Sequence, residues 1–457
     1  MISRWAVRNG YRDVLTIGLP LVASMASNTI TQFTDRVFLA HYSLETLAAS
    51  LSAGVVSFGF SAFFAGLASY VNVFVAQYTG AGRNLRVGPA LWQGLWFALV
   101  AGLCMSALAL PAEWIFTVAG HAPVVQAMEV DYYRILCFAS AFSILDVVLG
   151  GFYTGRGITR PVMVVNLAGA LLNIPLDYMF IYGFGPIPEM GIRGAGYATA
   201  IAWGFSAALF AVLIFTRKNE ESFAVRSGWR VQPDLFRRLV RFGLPSGVEF
   251  FLDVFGFTVF ILLVGRIGNV ELAATNMVFS LNQFSFMPMI GLHIAVQSMV
   301  GQAVGAGCPD DGEAAATSTM HLCVGWAAVM ALIYLLLPGP LTDLFRPDGF
   351  TAAQYAPVRD TGRILLMFVA FYTLFDAVAI TYLGALKGAG DTAYTMRLIG
   401  AASMCAMVVP SYVALEVLHA GLYAGWLCVV SYVLLLAFFA LRRFRRGHWR
   451  GMRVIEA

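Results

Sequence analysis

The sequence predicts an all-α integral membrane protein with twelve transmembrane helices, and three observations lead to this prediction. Apolar residues make up 59% of the 457 residues and charged residues only 12%, against about 45–50% and about 25% in an ordinary soluble chain. This apolar supply suffices for about a dozen spans of about 20 residues each. Runs such as 322–337 and 426–441 are almost unbroken, whereas the strands of a membrane β-barrel alternate polar and apolar residues.

Each predicted helix is an apolar stretch that begins and ends at charged residues or at Gly- and Pro-rich breaks. In chain order, the helices are predicted at 14–40, 47–78, 88–110, 126–149, 161–183, 194–216, 242–265, 271–303, 315–337, 361–384, 393–416 and 420–441. No short apolar core with a cleavage site follows Arg4, Arg8 and Arg12, so no cleaved signal peptide is expected. The six Cys residues form no CxxC pair and are expected to be small apolar fillers.

The basic residues predict the orientation of these spans, because Lys and Arg in short loops favour the cytoplasm. With the N-terminus inside, 22 of the 29 basic residues lie at or near the inner face. This bias predicts that both termini are cytoplasmic, which requires an even number of spans. The seven basic residues left for the outer face are Arg36, Arg134, Arg193, Arg266, Arg346, Arg359 and Arg363.

An internal repeat divides the chain into two copies of one six-helix unit. The predicted domains are an N-lobe at 1–216, a cytoplasmic linker at 217–241, a C-lobe at 242–441 and a basic cytoplasmic tail at 442–457. Such duplication predicts two homologous bundles around a central cavity, the usual architecture of a transporter. Three motifs recur 225 residues later: Gly-Leu-Pro at 18–20 and 243–245, Leu-Ala-Ala at 47–49 and 272–274, and Gln-x-x-Gly-Ala-Gly at 77–82 and 302–307.

Several ionisable or amide side chains fall inside the predicted spans. A charge at the bilayer centre costs about 2.5–3.5 kcal/mol, so each intramembrane acid is a functional candidate. Asn173 and Asp177 lie four residues apart and share a face of helix five. The other candidates are Asp35 in helix one, Asp253 in helix seven with Glu249 one turn before it, and Asp376 in helix ten.

The repeat does not duplicate these acids. Position 253 is equivalent to Asn28, and position 35 is equivalent to Phe260. This asymmetry favours a specialised role for the acids in each half. Neither a GxGxxG nor a GxxxxGK[ST] pattern occurs, so we expect an ion gradient rather than ATP to drive transport.

Several motifs together resemble the multidrug and toxic compound extrusion (MATE) transporters, over about residues 12 to 445. Within that family the chain looks NorM-like. The motifs are the duplicated Gly-Leu-Pro helix start, Asp35 followed by Leu-Ala-Ala at 47–49, Val-Ala-Gln-Tyr-Thr-Gly-Ala at 75–81, Asn-Ile-Pro-Leu-Asp-Tyr-Met-Phe-Ile-Tyr-Gly at 173–183, Gly-Ala-Gly-Tyr-Ala-Thr-Ala at 194–200, and Asp376 ahead of Gly-Ala-Leu-Lys-Gly-Ala-Gly-Asp-Thr at 384–392.

The resemblance implies a cation-coupled antiporter that expels amphipathic, often cationic, drugs and toxic organic compounds. It implies an N-lobe cation site formed by Asp35, Asn173, Asp177 and Thr199, which could hold Na⁺ as a metal ion. Asp253 falls where NorM-type members place a helix-seven acid, and Asp376 matches their helix-ten acid. Asp177, where many NorM-type chains have Asn, and Arg36 beside Asp35 are departures from the pattern.

The residues leave the coupling ion open. Carboxylate, amide and hydroxyl oxygens suit a hard cation such as Na⁺, and the same acids held close together can carry protons. Purely structural readings also remain: Asn173 as interhelical glue, and Thr199 bonded back to its own helix. Candidates for the substrate cavity are Gln32, Glu249, Phe284, Phe286, Met287 and Met289.

The predicted protein is not an enzyme and needs no cofactor beyond Na⁺ or H⁺ as coupling ion. Its predicted partners are small organic cations or amphipathic drugs and the lipid bilayer of the plasma (inner) membrane. Nucleic acid and an obligate protein partner are not expected, so the chain is predicted to be a monomer. The alternative function is a flippase for a lipid-linked precursor from the same superfamily, for which basic residues inside the spans would be expected.

Overall fold

The computed structural model describes residues 4–5, 7–346 and 350–456. Within these ranges, twelve helices are long and apolar enough to cross a membrane, and no strand occurs. The prediction of an all-helical chain with twelve spans is therefore confirmed. The helices are α1 Tyr11–Tyr42, α2 Leu44–Gly80, α3 Asn84–Leu108, α4 Pro123–Thr154, α5 Arg160–Tyr182, α6 Ile192–Ile214, α7 Pro233–Ile267, α8 Asn269–Gly305, α9 Pro309–Leu336, α10 Ala352–Ala389, α11 Thr392–Val417 and α12 Leu422–Arg445.

Several helices begin earlier than their apolar runs predict. The start of α7 at Pro233 lies inside the predicted linker, and α10 begins at Ala352 rather than at 361. In α10, the Thr351 hydroxyl accepts from the Gln354 backbone N–H at 3.3 Å, and the Gln354 side chain accepts from the Thr351 N–H at 2.9 Å. This capping box stabilises a polar first turn. Hydropathy therefore places the start of such a helix too late.

The segment 217–241 is folded rather than extended. It contains the helix Arg217–Phe223 and the 3₁₀ turn Ser227–Trp229 before α7 begins. The indole N–H of Trp92 in α3 donates to the Val225 carbonyl oxygen over 2.6 Å. The segment thus packs against the first turns of α3.

Chain packing divides the protein into two compact units. The N-unit consists of Leu19–Phe251, Gly301–Gly307 and Arg453–Ala457, and the C-unit consists of Met1–Gly18, Leu252–Val300 and Cys308–Met452. Their limits fall inside α1, α7 and α8, between α8 and α9, and beyond the end of α12, whereas the lobes were predicted to meet at the linker. The predicted domain boundaries stay a prediction.

Each unit is organised around one long helix. In the N-unit, α4 packs against α2, α3 and α6, while α5 packs along α6. In the C-unit, α10 packs against α9 and α12. The two central helices are equivalent members of the six-helix repeat. The buried core of the C-unit includes Val14, Met289, Leu292, Cys323 and Ile380.

The repeated Gln-x-x-Gly-Ala-Gly motifs meet within the N-unit, where α2 and α8 end. A Cβ added at Gly80 would clash with the backbone carbonyl of Gln302, and a Cβ added at Gly305 would clash with that of Gln77. Positions 77 and 302, like 80 and 305, are equivalent in the repeat, so the contact is reciprocal. Glycine permits this backbone approach because it has no side chain.

Candidate cation sites

The first candidate site lies in the N-unit and joins α1 to α5. With its amide nitrogen turned toward the acids, Asn173 Nδ2 lies 3.2 Å from Asp35 Oδ1 and 2.9 Å from Asp177 Oδ2. The two carboxyl groups also lie within hydrogen-bonding reach of each other. Asn173 and Asp177 are buried, with 1% and 0% exposure. The structure therefore brings together three of the four residues predicted for this site.

Two hydrogen bonds fix α1 against α5 on either side of this cluster. Toward the start of both helices, the Asn166 amide donates to the Ser24 hydroxyl over 2.5 Å. Toward their ends, the Tyr182 hydroxyl donates to the Phe38 carbonyl oxygen over 2.8 Å. Polar contacts of this kind hold helices together inside a membrane. They set the register that places Asp35 opposite the Asn173–Asp177 face.

Some buried oxygens near these helices have no hydrogen-bond partner within the described part of the chain. They include Asp177 Oδ1 and the hydroxyl oxygen of Thr199, which lies on α6. A buried polar atom without a partner costs about 1–3 kcal/mol. Hard oxygen ligands are those that a cation such as Na⁺ prefers, by analogy with other hard cations. The donor set around Asp177 therefore fits a bound cation or an added proton.

Two other side chains influence the N-unit acids through their charge or dipole. Tyr132 of α4 is 7% exposed and interacts electrostatically with Asp35 and Asp177. Arg36 is exposed, and its positive charge acts on Asp35. Tyr132 could not be predicted as a neighbour of these acids, because no local pattern relates α4 to α1.

The second candidate site lies in the C-unit, with side chains from α7, α10 and α12. The Tyr432 hydroxyl donates to Asp253 Oδ1 over 2.6 Å. Asp376 lies close enough to Asp253 for their charges to interact. Tyr432 is 1% exposed, and its ring meets that of Phe257 edge-on at 6.0 Å between centroids. The structure thus places the two predicted acids within electrostatic range of each other and adds a tyrosine that the sequence did not indicate.

Two weakly polar side chains lie within electrostatic range of Asp376. Tyr372, one turn earlier on α10, and Cys323 of α9 both interact electrostatically with Asp376. Tyr372 is 3% exposed and Cys323 is fully buried. Two ionised acids that interact inside a membrane repel each other. A proton or a cation bound at either acid would lessen this repulsion.

The aromatic and Met residues proposed for a substrate cavity do not form one cluster. Phe284 is 62% exposed, whereas Met289 is 1% exposed and lies in the C-unit core. Phe286 packs against that same core, and Met287 is half-buried. Their roles in substrate binding stay predictions.

The two polar cavity candidates lie one helical turn before an acid of a candidate site. Gln32 precedes Asp35 on α1 and is exposed. Glu249 precedes Asp253 on α7 and is 6% exposed. Gln32 and Glu249 both belong to the N-unit, whereas Asp253 belongs to the C-unit.

Comparisons with known proteins agree with this architecture. A family model described as MatE matches residues 20–179 and 245–413, which begin at equivalent prolines of the repeat. The multidrug resistance protein PmpM of Pseudomonas aeruginosa is 31% identical over 395 residues, covering 85% of this chain and 81% of PmpM. The probable multidrug resistance protein NorM of Rhizobium meliloti is 31% identical over 396 residues, covering 85% and 83%. The crystal structure of MATE in complex with MaL6 has the same fold, with a TM-score of 0.87 at 19% identity over 96% of this chain and 97% of that one.

Proposed function

The chain belongs to the MatE family of membrane transporters, and on that premise we propose that it is a cation-coupled antiporter that exports amphipathic, often cationic, organic compounds. The family match includes both halves of the duplicated chain. The relatives are multidrug resistance proteins, which supports drug export over the flipping of a lipid-linked precursor. The twelve spans make the chain a multi-pass membrane protein.

The single observation that carries the proposal is the bridge of Asn173 between two membrane-embedded acids. Two ionised carboxylates this close together repel each other and are costly to bury. Binding of Na⁺ or H⁺ removes part of that cost. The occupancy of the Asp35–Asp177 pair therefore depends on the cation concentration at whichever side the site is open to.

In the proposed cycle, cation binding and substrate binding oppose each other. The outward-open protein releases the exported compound as a cation binds the acids, and the cation-bound protein returns inward and releases the cation. Linkage requires that each ligand weaken the binding of the other by the same factor. The membrane potential then contributes about 2.3 kcal/mol per charge per 100 mV to each inward cation movement.

The C-unit pair Asp253–Asp376 is proposed as a second cation site. Its acids lie on helices of the other half of the repeat, and Tyr432 holds one of them in place. The proposed localisation is the plasma (inner) membrane with both termini in the cytoplasm, which rests on the basic residues of the connections. The proposed functional unit is a monomer, because one duplicated chain supplies both halves.

The test is transport by the purified protein in liposomes. Efflux of ethidium is followed under an imposed Na⁺ gradient and then under a pH gradient, for the wild type, Asp35→Asn and Asp376→Asn. Asp234→Asn is the matched control, because Asp234 is exposed in the first turn of α7. We expect at least one gradient to drive efflux, and at least one of the two intramembrane variants to lower the efflux that this gradient drives.

The pattern of loss identifies the cation and the site. Drive by Na⁺ alone would make Na⁺ the coupling ion, and drive by the pH gradient alone would make the acids proton carriers. Loss in Asp35→Asn with retention in Asp376→Asn would assign coupling to the N-unit. If no gradient moved ethidium and both variants matched the wild type, the antiporter proposal would be abandoned and the flippase alternative would gain support.

A further inference from the structure

The chain returns to the N-unit at its C-terminal end. Helix α12 belongs to the C-unit, but the residues after Met452 pack in the N-unit. We call residues 453–456 the tail segment. Its Val454 and Ile455 are only 1% and 6% exposed. A tail that was merely solvated would leave such apolar side chains in water, so the tail segment is docked.

The last acid of the tail segment lies among basic side chains. Glu456 Oε2 accepts from the Tyr78 hydroxyl over 2.6 Å, and Oε1 accepts from Nε and Nη2 of Arg86 over 3.0 and 2.7 Å. Arg238 Nη1 lies 3.5 Å from Oε2, and Arg83 Nη1 donates to the Glu456 backbone carbonyl over 3.0 Å. Charge-assisted hydrogen bonds of this kind are about twice as strong as neutral ones.

The backbone of the tail segment is anchored as well. The Val454 N–H donates to Gln77 Oε1 over 2.9 Å, and Gln77 is 0% exposed. Gln77 is also the residue whose backbone carbonyl meets Gly305 where α2 and α8 end. Its repeat equivalent Gln302 donates from Nε2 to the Gly155 carbonyl oxygen over 2.8 Å. The tail segment is therefore bonded to Gln77, whose backbone carbonyl takes part in the reciprocal contact between the two repeated motifs.

The charge of Glu456 is maintained over the physiological range of pH. Burial raises its pKa, but hydrogen bonds from Tyr78, from its own backbone N–H and from Arg86 outweigh burial and lower the pKa from 4.5 to about 2. A lowered folded-state pKa means that the stabilisation is fully present above 4.5 and is lost as the pH falls from there toward 2. Docking should therefore not change between about pH 5 and pH 8.

We propose that Tyr78, Arg83, Arg86 and Arg238 form a carboxylate-binding surface whose ligand is the chain's own tail segment, and that this docking is a latch that ties the chain after α12 to the end of α2 and the first turns of α3 and α7. Alternating access requires the two halves of a duplicated transporter to move against each other. A segment that follows a C-unit helix and is bound to the N-unit restrains that movement. The inference that docking acts as a latch rests on the proposed antiport function, whereas the inference that the tail segment is docked does not.

Docking is tested by hydrogen–deuterium exchange on the full chain in detergent micelles. Glu456→Gln and a chain ended at Arg453 are expected to raise amide exchange in 77–86 at least about fivefold over the wild type, the low end of typical coupling between sites. A synthetic peptide of residues 453–457 should restore protection in the shortened chain. Glu221→Gln is the control, because its ion pair with Arg217 is highly exposed and should not affect these amides.

Transport of ethidium by the same variants tests the latch. Because the restraint is lost, the initial rate of ethidium transport is expected to rise in Glu456→Gln and in the shortened chain. The synthetic peptide should bring the rate of the shortened chain back to that of the wild type. Wild-type exchange as fast as that of Glu456→Gln would overturn the docking. Altered exchange with unchanged transport would overturn the latch. A wild type that transported no ethidium would count against the antiporter proposal, and exchange alone would then decide the docking.

Discussion

A buried tyrosine hydroxyl contacts one acid of the C-unit site. Tyr432 donates to Asp253 over 2.6 Å, and a hydrogen bond to a charged group contributes about 1.5–3 kcal/mol. Tyr432→Phe removes this bond but keeps the ring against Phe257. In an Asp35→Asn background, we expect the half-saturating concentration of the driving cation to fall about 10- to 100-fold, because the cation-free carboxylate loses the hydrogen bond that stabilises it. The measurement is the dependence of ethidium transport on that concentration.

The same helix provides the control for this prediction. Tyr423 lies on α12, is 41% exposed and stacks on Phe368 with ring centroids 6.3 Å apart. Tyr423→Phe should leave the cation dependence unchanged. Equal values for both variants would mean that Tyr432 does not position Asp253 for cation binding.

The sequence could predict that residues one helical turn apart lie on the same face, but it could not predict contacts between residues that are far apart in the chain. Asn173 and Asp177 are one helical turn apart, so their shared face follows from the helix period alone. The place of Asp35 in the same cluster came from family resemblance. Tyr432 and Asp253 are 179 positions apart, and no periodicity connects them. The pairing of α7 with α12 that joins them is a property of tertiary packing.

At the level of elements, hydropathy found all twelve helices but misplaced several of their starts. Helices α7, α9 and α10 begin with polar or charged turns that lie before the apolar run. In α7, Leu235 and Leu239 are 3% and 1% exposed and lie four residues apart on one face of a stretch that also carries Asp234 and three Arg residues. Such an amphipathic first turn is stabilised by packing on one side only. Mean hydropathy averages over both sides of a helix, so it does not detect an amphipathic first turn.

The reciprocal contact of the repeated motifs makes a prediction about helix packing. Gly80→Ala introduces a methyl group against the Gln302 carbonyl, so the ends of α2 and α8 must separate. Overpacking of this kind costs about 1–3 kcal/mol. We expect a lower midpoint of thermal unfolding in detergent, and a similar loss for Gly305→Ala because the contact is reciprocal.

The matched control lies on the same helix. Gly54 of α2 has nothing within 4 Å of an added Cβ. Gly54→Ala should be neutral or slightly stabilising, because Ala favours a helix over Gly by about 1 kcal/mol. If Gly80→Ala were as stable as Gly54→Ala, the backbones of the two repeated motifs would be able to move apart and accept the methyl group without a loss of stability.

At the level of the whole molecule, the repeat duplicates the scaffold but not the acids. The central helices α4 and α10 are equivalent, and each organises its own unit. The acids are carried by α1 and α5 in the N-unit but by α7 and α10 in the C-unit. Duplication therefore accounts for the architecture, which the sequence predicted, while the chemistry diverged between the halves.

Two acid clusters in two units predict that each carries its own cation. Asp35→Asn and Asp376→Asn should each lower the coupling ratio by one cation per exported molecule, and the double variant should lose drive by either gradient. Ethidium binding to the double variant should persist, because the exported compound is expected to compete with the cation rather than to need it. The ratio is measured from the gradient at which net ethidium flux stops. A double variant that behaved like Asp35→Asn alone would remove the C-unit pair from the transport cycle, since a site used in turnover must contribute to the free energy that drives it.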